Sequence, residues 1–300
     1  MANTTFTNSV TLTDADWFND VNDFVYDIVG DGTDPPSSVA VLLSNIGANA
    51  FPAMWIQGLT YANNSTDPTN DIGIASGQCR SSDDVDNIVL SSITKKLDVV
   101  WAVGTDQGGL DVGAIGNSDY YIWAIKRPDT NVTDVLYSLS STAPTMPADY
   151  TLKRLIGWFK RVGGTIVTFV TYEELDGKLG LSWKVPTLDV NLAATLTSSR
   201  RTDAVKVPRD FSVIAHLNVE YKDANNANFG WICCPDQTDA APADGAAPLG
   251  NLSSATAGIP DMKQMRIRTS ATGTIAARSN VSTVDLYAVS TMGFTWARRN

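Results

Sequence analysis

The chain has few basic residues near its N-terminus, one histidine, three cysteines and no long apolar run. Its first 79 residues contain nine aspartates and no lysine or arginine, whereas the other 221 residues hold 23 acidic and all 22 basic side chains. Nearly all of the formal charge of −10 therefore lies in the first quarter of the chain. Such an asymmetry indicates a binding partner, and we expect a basic protein surface. Nucleic acid is not expected as a partner, because its phosphates would repel this segment.

Membrane-spanning runs and disulfide spacing are also missing. No run approaches the roughly 18–20 apolar residues that cross a bilayer, and the first five residues lack the basic and apolar regions of a signal peptide. The cysteines, Cys79, Cys233 and Cys234, have no disulfide-framework spacing, so we expect reduced and buried thiols. These absences predict a protein without membrane insertion that is made and assembled in a cytoplasm.

Residues 13–29 carry the clearest helical pattern. Thr13 can cap this helix, and the helix dipole favours the aspartates of its first turn. The apolar residues recur at helical spacing and form one stripe, with aspartates facing away from it. A second short helix is expected from residue 37 or 38 to residue 45. Two short helices have little hydrophobic core of their own, so we predict that residues 1–50 dock on other subunits. The alternative is that they pack within their own domain. The side chains expected at this docking interface are Trp17, Phe18, Asp20, Val21, Asp23, Phe24, Val25, Tyr26 and Ile28.

From about residue 51 the pattern changes to the alternation of β-strands. β-Branched and aromatic residues recur with period two, and turn residues separate the runs at intervals of roughly ten residues. The spacing predicts a mainly β body over residues 51–300, an antiparallel β-sandwich of jelly-roll-like form or a barrel, with a split near 190–208 as an alternative. The expected strands are 54–61, 71–76, 87–90, 120–127, 135–140, 152–160, 166–172, 178–183, 211–221, 229–234, 264–269, 274–278, 284–289 and 293–298, with 197–207 as a further strand or a linker. Segment 235–260, rich in Ala, Gly, Pro and Asp, is expected to be a long surface loop, where recognition often resides.

The sequence contains no recognisable catalytic constellation. The single histidine, His216, lies in an alternating strand and is interpreted as structural, since no nucleophile elbow suggests a partner serine. The glycine-rich segment 104–109 lacks a P-loop lysine and is interpreted as a turn. Asp- and Asn-rich loops lack EF-hand spacing, and one histidine leaves too few ligands for zinc, so we predict no metal and no cofactor. Acidic groups that could cleave glycosides are Asp83, Asp84, Asp86, Glu173 and Glu174, yet such pairs are common on solvated surfaces, and we predict no enzymatic activity.

Tryptophan is the one residue type that suggests a ligand. Seven tryptophans fall in or beside the expected strands: Trp55, Trp101, Trp123, Trp158, Trp183, Trp231 and Trp296. Most of them are expected in the core. One or two exposed indole rings would suit a surface that binds glycans by stacking.

The N-terminal segment resembles the virion-attachment module of tailed-phage fibres and spikes. The resemblance rests on residues 16–26 (Asp-Trp-Phe-Asn-Asp-Val-Asn-Asp-Phe-Val-Tyr), on the Gly-Asp-Gly-Thr-Asp-Pro-Pro segment after them, and on the short helix ending at Asn45-Ile-Gly. Further segments are similar to a β-rich module of phage tail fibre and fibre-like proteins: 71–77, 97–113, 121–125, 143–157 and 292–300. Larger relatives carry a long enzymatic or shaft region after the attachment helix, and this chain has none.

The resemblance implies a non-enzymatic virion protein. The expected protein is a short tail fibre, anchored to the tail adaptor or collar through residues 1–50, with a β body that projects outward and contacts host surface glycans. The resemblance also implies a homotrimer located in the virion. A head fibre or decoration protein bound to the capsid protein is the first alternative, and a virion-associated glycan-degrading enzyme is the second.

Overall fold

A computed structural model describes residues 51–298, with the exception of residues 194, 195 and 255. The two predicted helices of residues 1–50 lie outside the described residues. So do all nine predicted anchor residues: Trp17, Phe18, Asp20, Val21, Asp23, Phe24, Val25, Tyr26 and Ile28. No helix within the described part of the chain is long and apolar enough to cross a membrane.

The described residues form twenty β-strands and a single 3₁₀ turn at Leu175–Gly177. The strands in chain order are β1 (Ile56–Gly58), β2 (Tyr61–Asn63), β3 (Asp71–Ile74), β4 (Gly77–Arg80), β5 (Asn87–Leu90), β6 (Ile93–Val100), β7 (Gln107–Leu110), β8 (Asp119–Arg127), β9 (Val132–Ser138), β10 (Leu152–Val162), β11 (Thr165–Ile166), β12 (Phe169–Glu173), β13 (Leu179–Ala193), β14 (Arg201–Ala204), β15 (Ile214–Lys222), β16 (Phe229–Cys233), β17 (Leu252–Ser253), β18 (Asp261–Arg268), β19 (Thr274–Ser279) and β20 (Leu286–Trp296). The predicted mainly β character of the body is confirmed.

The strands form four sheets. An eight-stranded sheet has the order β11-β10-β8-β9-β7-β6-β3-β2, and a five-stranded sheet has the order β12-β13-β20-β15-β18. Smaller sheets have the orders β14-β19-β16-β17 and β1-β4-β5. Three sheets are antiparallel, but β7 pairs in parallel with both β6 and β9. The prediction of a wholly antiparallel body is therefore wrong for the eight-stranded sheet, which is mixed.

A buried ion pair fixes the loop between β6 and β7. The Lys95 ammonium, fully buried, lies 3.1 Å from the Asp134 carboxylate and donates hydrogen bonds to the carbonyl oxygens of Ala102 (2.6 Å) and Gly104 (3.2 Å). The second carboxylate oxygen of Asp134 accepts the backbone N–H of Gly104 at 2.7 Å. Because both charges are paired and hydrogen-bonded, the free-energy cost of burying them is offset. The same contacts hold the loop between β6 and β7 in a single conformation.

The eight-stranded sheet nearly closes, because the side chain of Tyr61 on β2 bridges to β10. The Tyr61 hydroxyl donates to the carbonyl oxygen of Trp158 (2.7 Å) and accepts the Trp158 N–H (2.9 Å). Its ring occupies the space over Gly157, where a Cβ would lie 2.3 Å from the ring. Glycine at 157 therefore makes room for the tyrosine that links the two outer regions of the sheet.

Aromatic side chains join the eight-stranded and five-stranded sheets. Trp158 on β10 packs edge-on against Trp183 on β13 and Phe294 on β20, with ring centroids 5.9 and 5.6 Å apart. Phe211 stacks on Trp296 at 4.7 Å and also contacts Tyr121 of β8. These contacts lie in one cluster of buried residues that includes residues from Ile56 to Trp296.

A second buried cation joins distant parts of the chain. The Arg298 guanidinium donates to the carbonyl oxygens of Gly58 (2.8 Å) and Gly177 (3.0 Å) and to the Glu173 carboxylate (3.2 Å). Its own carbonyl oxygen accepts a hydrogen bond from Arg154, whose side chain is also buried. Arg298 therefore connects β1, β12 and the 3₁₀ turn to the end of β20.

Several strand predictions need correction. Segment 104–109 is a turn only to Asp106, after which β7 begins. The predicted strand 54–61 is interrupted because Gly58 and Leu59 have positive φ angles of 66° and 55°. The two predicted strands after residue 284 are one strand, β20, which continues through Gly293.

Candidate functional site

The described tryptophans divide into buried and half-buried rings. Trp123, Trp158, Trp183 and Trp296 are buried, which confirms that most of the seven belong to the core. The half-buried tryptophans are Trp55, Trp101 and Trp231. These three rings are therefore the candidates for stacking against a bound ligand.

Two of the half-buried rings are already occupied. Trp55 stacks face to face on Phe51, with ring centroids 4.1 Å apart. Trp101 packs edge-on against Tyr150 at 5.2 Å and donates its indole N–H to the Val135 carbonyl oxygen. Trp231, by contrast, has neither an aromatic partner nor an indole hydrogen bond among the described residues. Within the described part of the chain, its ring and its indole N–H are therefore available to a ligand.

Trp231 lies in a cleft between β16 and the edge strand β18. The cleft has a volume of about 590 Å³. We call it the Trp231 cleft; its polar and aromatic lining consists of Trp231, Asp236, Gln237, Asn251, Arg266 and Arg268. Alternation along β16 turns Trp231 outward while its neighbours Gly230 and Ile232 are buried. Alternation along β18 exposes both arginines in the same way.

Hydrogen bonds hold the floor of the cleft in one conformation. The Asn251 side chain accepts the Ile232 N–H (2.9 Å) and donates to the Ile232 carbonyl oxygen (2.8 Å). The side-chain Oε1 of Gln237 accepts the Cys234 N–H at 3.1 Å, which leaves the side-chain NH₂ group of Gln237 for other contacts. A site held in this way loses little conformational entropy when a ligand binds.

The two arginines of the cleft differ in their charge partners. Arg268 is paired with Asp236 at 2.7 Å and also donates to the Ser212 hydroxyl. Arg266 donates to the Thr295 hydroxyl at 3.3 Å, and no carboxylate of the described residues lies within ion-pair distance of it. Arg266 is therefore an exposed cation whose charge is not neutralised by a direct neighbour in the described part of the chain.

His216 lies beside Arg266, but its geometry does not activate a nucleophile. The Thr295 hydroxyl contacts the Glu174 carboxylate and the His216 Nε2, both at 3.0 Å. The hydroxyl has one proton, and the carboxylate can only accept it, so Nε2 must donate to the hydroxyl oxygen. Histidine therefore cannot remove the threonine proton here. Burial, and next the charge of Arg266, lower the pKa of His216, whereas Glu174 raises it.

The acidic residues considered for glycoside cleavage contact structural partners. Glu173 binds Arg298 and the Gly58 N–H, and Glu174 binds Thr295. Among the remaining acidic residues, Asp84 accepts the Met54 N–H and Asp86 binds Lys126. Among residues 51–298, apart from the gaps given above, no group of three or more His, Cys, Asp or Glu side chains could hold a metal ion.

The prediction of reduced, buried thiols is confirmed. Cys79, Cys233 and Cys234 are all buried and free of disulfides. Burial raises the pKa of Cys79 to about 12 and also raises the pKa of Cys233. Cys79 and Cys233 are therefore protonated at neutral pH, and all three side chains pack as small apolar groups.

The sequence indicated parts of the Trp231 cleft but not the whole. Trp231 was among the seven tryptophans, and the predicted loop 235–260 supplies Asp236, Gln237 and Asn251. The importance of Arg266 was missed, although it stands at an outward position of a predicted strand. Alternation could have shown that it is exposed, but only the fold shows that it faces Trp231 across a cleft.

No protein-family model matches the chain, and neither a curated protein nor a solved structure matches it significantly.

Proposed function

We propose that this chain is a structural virion protein of a tailed phage, a short tail fibre. Residues 1–50 anchor it to a tail adaptor or collar protein, and a jelly-roll-like β-sandwich body projects outward as part of a homotrimer. The proposal rests on the difference between the N-terminal segment and the body that follows it. A segment with acidic residues and no bases, resembling a virion-attachment module, precedes a mainly β body.

The physical chemistry of the segment supports an anchoring role. An apolar stripe of Trp17, Val21, Phe24, Val25 and Ile28 can lie in a groove of another subunit if residues 13–29 are helical. The aspartates on the other side would steer it toward a basic surface. Residues 80–300 hold 23 acidic and 22 basic side chains and are therefore nearly neutral. Electrostatic attraction to a basic partner would thus come from the N-terminal segment.

The body contacts host surface glycans through the Trp231 cleft. The free face of the indole can pack on the C–H face of a sugar ring, and the fixed amides of Gln237 and Asn251 provide polar neighbours for its hydroxyl groups. Trp231 is the half-buried tryptophan without an aromatic partner among the described residues, which supports its choice over Trp55 and Trp101.

Particle assembly tests the anchor. A chain lacking residues 1–50, and the double variant Trp17→Ala with Phe24→Ala, should be absent from purified particles while the free protein keeps the melting temperature of its body. Trp231→Ala is the matched control, because an aromatic side chain of the body should not affect incorporation. Normal incorporation of the double variant would refute the docking stripe.

Cryo-EM of the whole particle tests the location. Density for the β body at the tail, with residues 13–29 against an adaptor or collar subunit, is the expected result. Density on the capsid lattice would instead identify a head fibre or decoration protein that uses the same segment to bind the capsid. Clearing of host polysaccharide by the purified protein would favour the enzyme alternative.

Binding to polysaccharide extracted from the host surface tests the cleft. Removing one stacking ring by Trp231→Ala should weaken binding about 2- to 12-fold, the equivalent of about 0.5–1.5 kcal/mol. Trp101→Ala serves as the control, since that ring packs on Tyr150, donates its indole N–H to Val135 and does not line the cleft. Equal losses in the two variants would contradict a specific role for the Trp231 cleft.

A further inference from the structure

Arg266 distinguishes the Trp231 cleft from a neutral sugar site. Both arginines of the cleft are exposed, but only Arg268 has a carboxylate partner among the described residues, Asp236 at 2.7 Å. Arg266 has one hydrogen bond there, to the Thr295 hydroxyl at 3.3 Å. Most of the guanidinium donors of Arg266 are therefore left for a ligand.

Arg266 is also centrally placed on this surface. It lines the Trp231 cleft, a neighbouring cleft of about 1030 Å³ beside Trp55, and a groove of about 450 Å³ that contains His216 and Met292. The hydrogen bond to Thr295 fixes one end of the guanidinium, and Thr295 is itself held by Glu174 and His216. An oriented guanidinium presents two parallel donors, which match the two oxygens of a carboxylate.

We propose that the Trp231 cleft selects acidic saccharides, with the sugar carboxylate bound by Arg266 and the ring stacked on Trp231. This inference rests on the proposed contact with glycans and specifies their chemical class. Sugar acids combine the two features that the cleft can recognise, an apolar C–H face and a carboxylate. Amide N–H groups of Gln237 lie in the same cleft and can donate to ring hydroxyls.

The charge of the chain does not oppose this selection. The formal charge of −10 lies almost entirely in the first 79 residues, whereas the remaining residues carry 23 acidic and 22 basic groups. Within the cleft, Asp236 is compensated by Arg268. Glu174 adds a negative charge nearby, because it binds the same Thr295 hydroxyl that Arg266 contacts. It is not within ion-pair distance of Arg266, so a carboxylate approaching Arg266 meets a cation without an ion-pair partner among the described residues.

The test is a titration of the full chain with matched ligands. The probes are glucuronic, galacturonic, N-acetylneuraminic and 3-deoxy-manno-octulosonic acids, each compared with its uncharged methyl ester, followed by calorimetry and ligand-observed NMR. Inorganic phosphate is included to detect a general anion site. The variants are Arg266→Gln and Trp231→Ala, and Arg127→Gln on β8 is the control because this half-buried arginine does not line the cleft.

At least one acid should bind about ten-fold more tightly than its ester, which corresponds to one charge-assisted hydrogen-bond pair. Arg266→Gln should abolish that preference by weakening the acid far more than the ester, Trp231→Ala should weaken both forms, and Arg127→Gln should change neither. Binding of phosphate that competes with the acid while Trp231→Ala has no effect would overturn the inference. So would the absence of binding by all four acids at millimolar concentration.

The outcomes separate this inference from the proposed function. If acid and ester bind equally and both depend on Trp231, carboxylate selection is refuted while contact with glycans stands. Incorporation into particles tests virion attachment independently, since neither Arg266 nor Trp231 belongs to residues 1–50.

Discussion

Replacing Arg298 should destabilise the body more than replacing any exposed arginine. The fully buried guanidinium donates to three acceptors from separate segments: the carbonyl oxygens of Gly58 and Gly177 and the carboxylate of Glu173. Arg298→Ala leaves both carbonyl oxygens without this donor and opens a cavity. Arg298→Lys keeps a charge, but a single ammonium group lacks the planar fork that reaches three directions.

The magnitude follows from the type of interaction lost. Removing one partner of a buried, hydrogen-bonded charge network costs about 3–5 kcal/mol, because the remaining polar groups stay buried without compensation. For a protein of this size each kcal/mol lowers the melting temperature by about 2–4 °C. We therefore expect Arg298→Ala to melt about 6–20 °C lower and Arg298→Lys to lose about half as much stability.

The assay is thermal and urea unfolding followed by circular dichroism, with the free energy of unfolding as the readout. Arg127→Ala is the matched control. Its guanidinium binds Asp129 and Asp149 at the surface, where an ion pair contributes about 0–1 kcal/mol. A loss below about 1 kcal/mol for Arg298→Ala, or equal losses for the two variants, would refute the reasoning that the buried guanidinium links these segments.

Three further predictions concern other buried or half-buried groups. Lys95→Met should cost about 3–5 kcal/mol because it leaves the Asp134 charge buried and unpaired, and adding Asp134→Leu should restore part of that stability in urea unfolding. Tyr61→Phe should cost about 1–3 kcal/mol, since one hydroxyl serves both backbone groups of Trp158; an unchanged urea midpoint would contradict this. Because the pKa of His216 is lowered in the folded protein, the unfolded chain takes up the proton first as pH falls below about 6.5. The contribution of neutral His216 to the free energy of unfolding is therefore present above that pH and is lost as pH falls through the folded pKa. His216→Gln should therefore flatten the stability profile between about pH 7.5 and 5, and an unchanged slope would refute the assignment.

Strands with alternating burial were predictable from local sequence. The predicted segment 87–90 coincides with β5, and the predictions for β8, β16 and β19 differ from the observed bounds by one residue at one end. In β16 the alternation of outward and buried residues is directly visible in the sequence. Local pattern succeeds for β5 and β16 because a half-buried strand must alternate in order to bury one face. β8 is buried along nearly its whole length, and its sequence shows a continuous apolar and aromatic run instead.

Two strands of the eight-stranded sheet, β6 and β7, were not predicted from the sequence. β6 contains Lys95 and Lys96, and β7 begins with Gln-Gly-Gly, so neither shows an apolar alternation. Lys95 can be buried only because Asp134, from a distant strand, lies beside its ammonium group. The predicted strands 284–289 and 293–298 are one strand, β20. Glycine is required at position 293, because a Cβ there would lie 2.0 Å from the Leu181 carbonyl oxygen of the neighbouring strand.

The sequence by itself determined the charge division at the N-terminal side, the mainly β composition of residues 51–298 and the reduced state of the cysteines. Each of these follows from composition or from periodicity within a few residues. Tertiary structure decided the parallel pairings of β7, the burial of Lys95 and Arg298, and the meeting of Trp231 with Arg266 in one cleft. The physical reason is that these features depend on contacts between residues far apart in the chain, and such contacts decide which charges are neutralised and which stay free for a ligand.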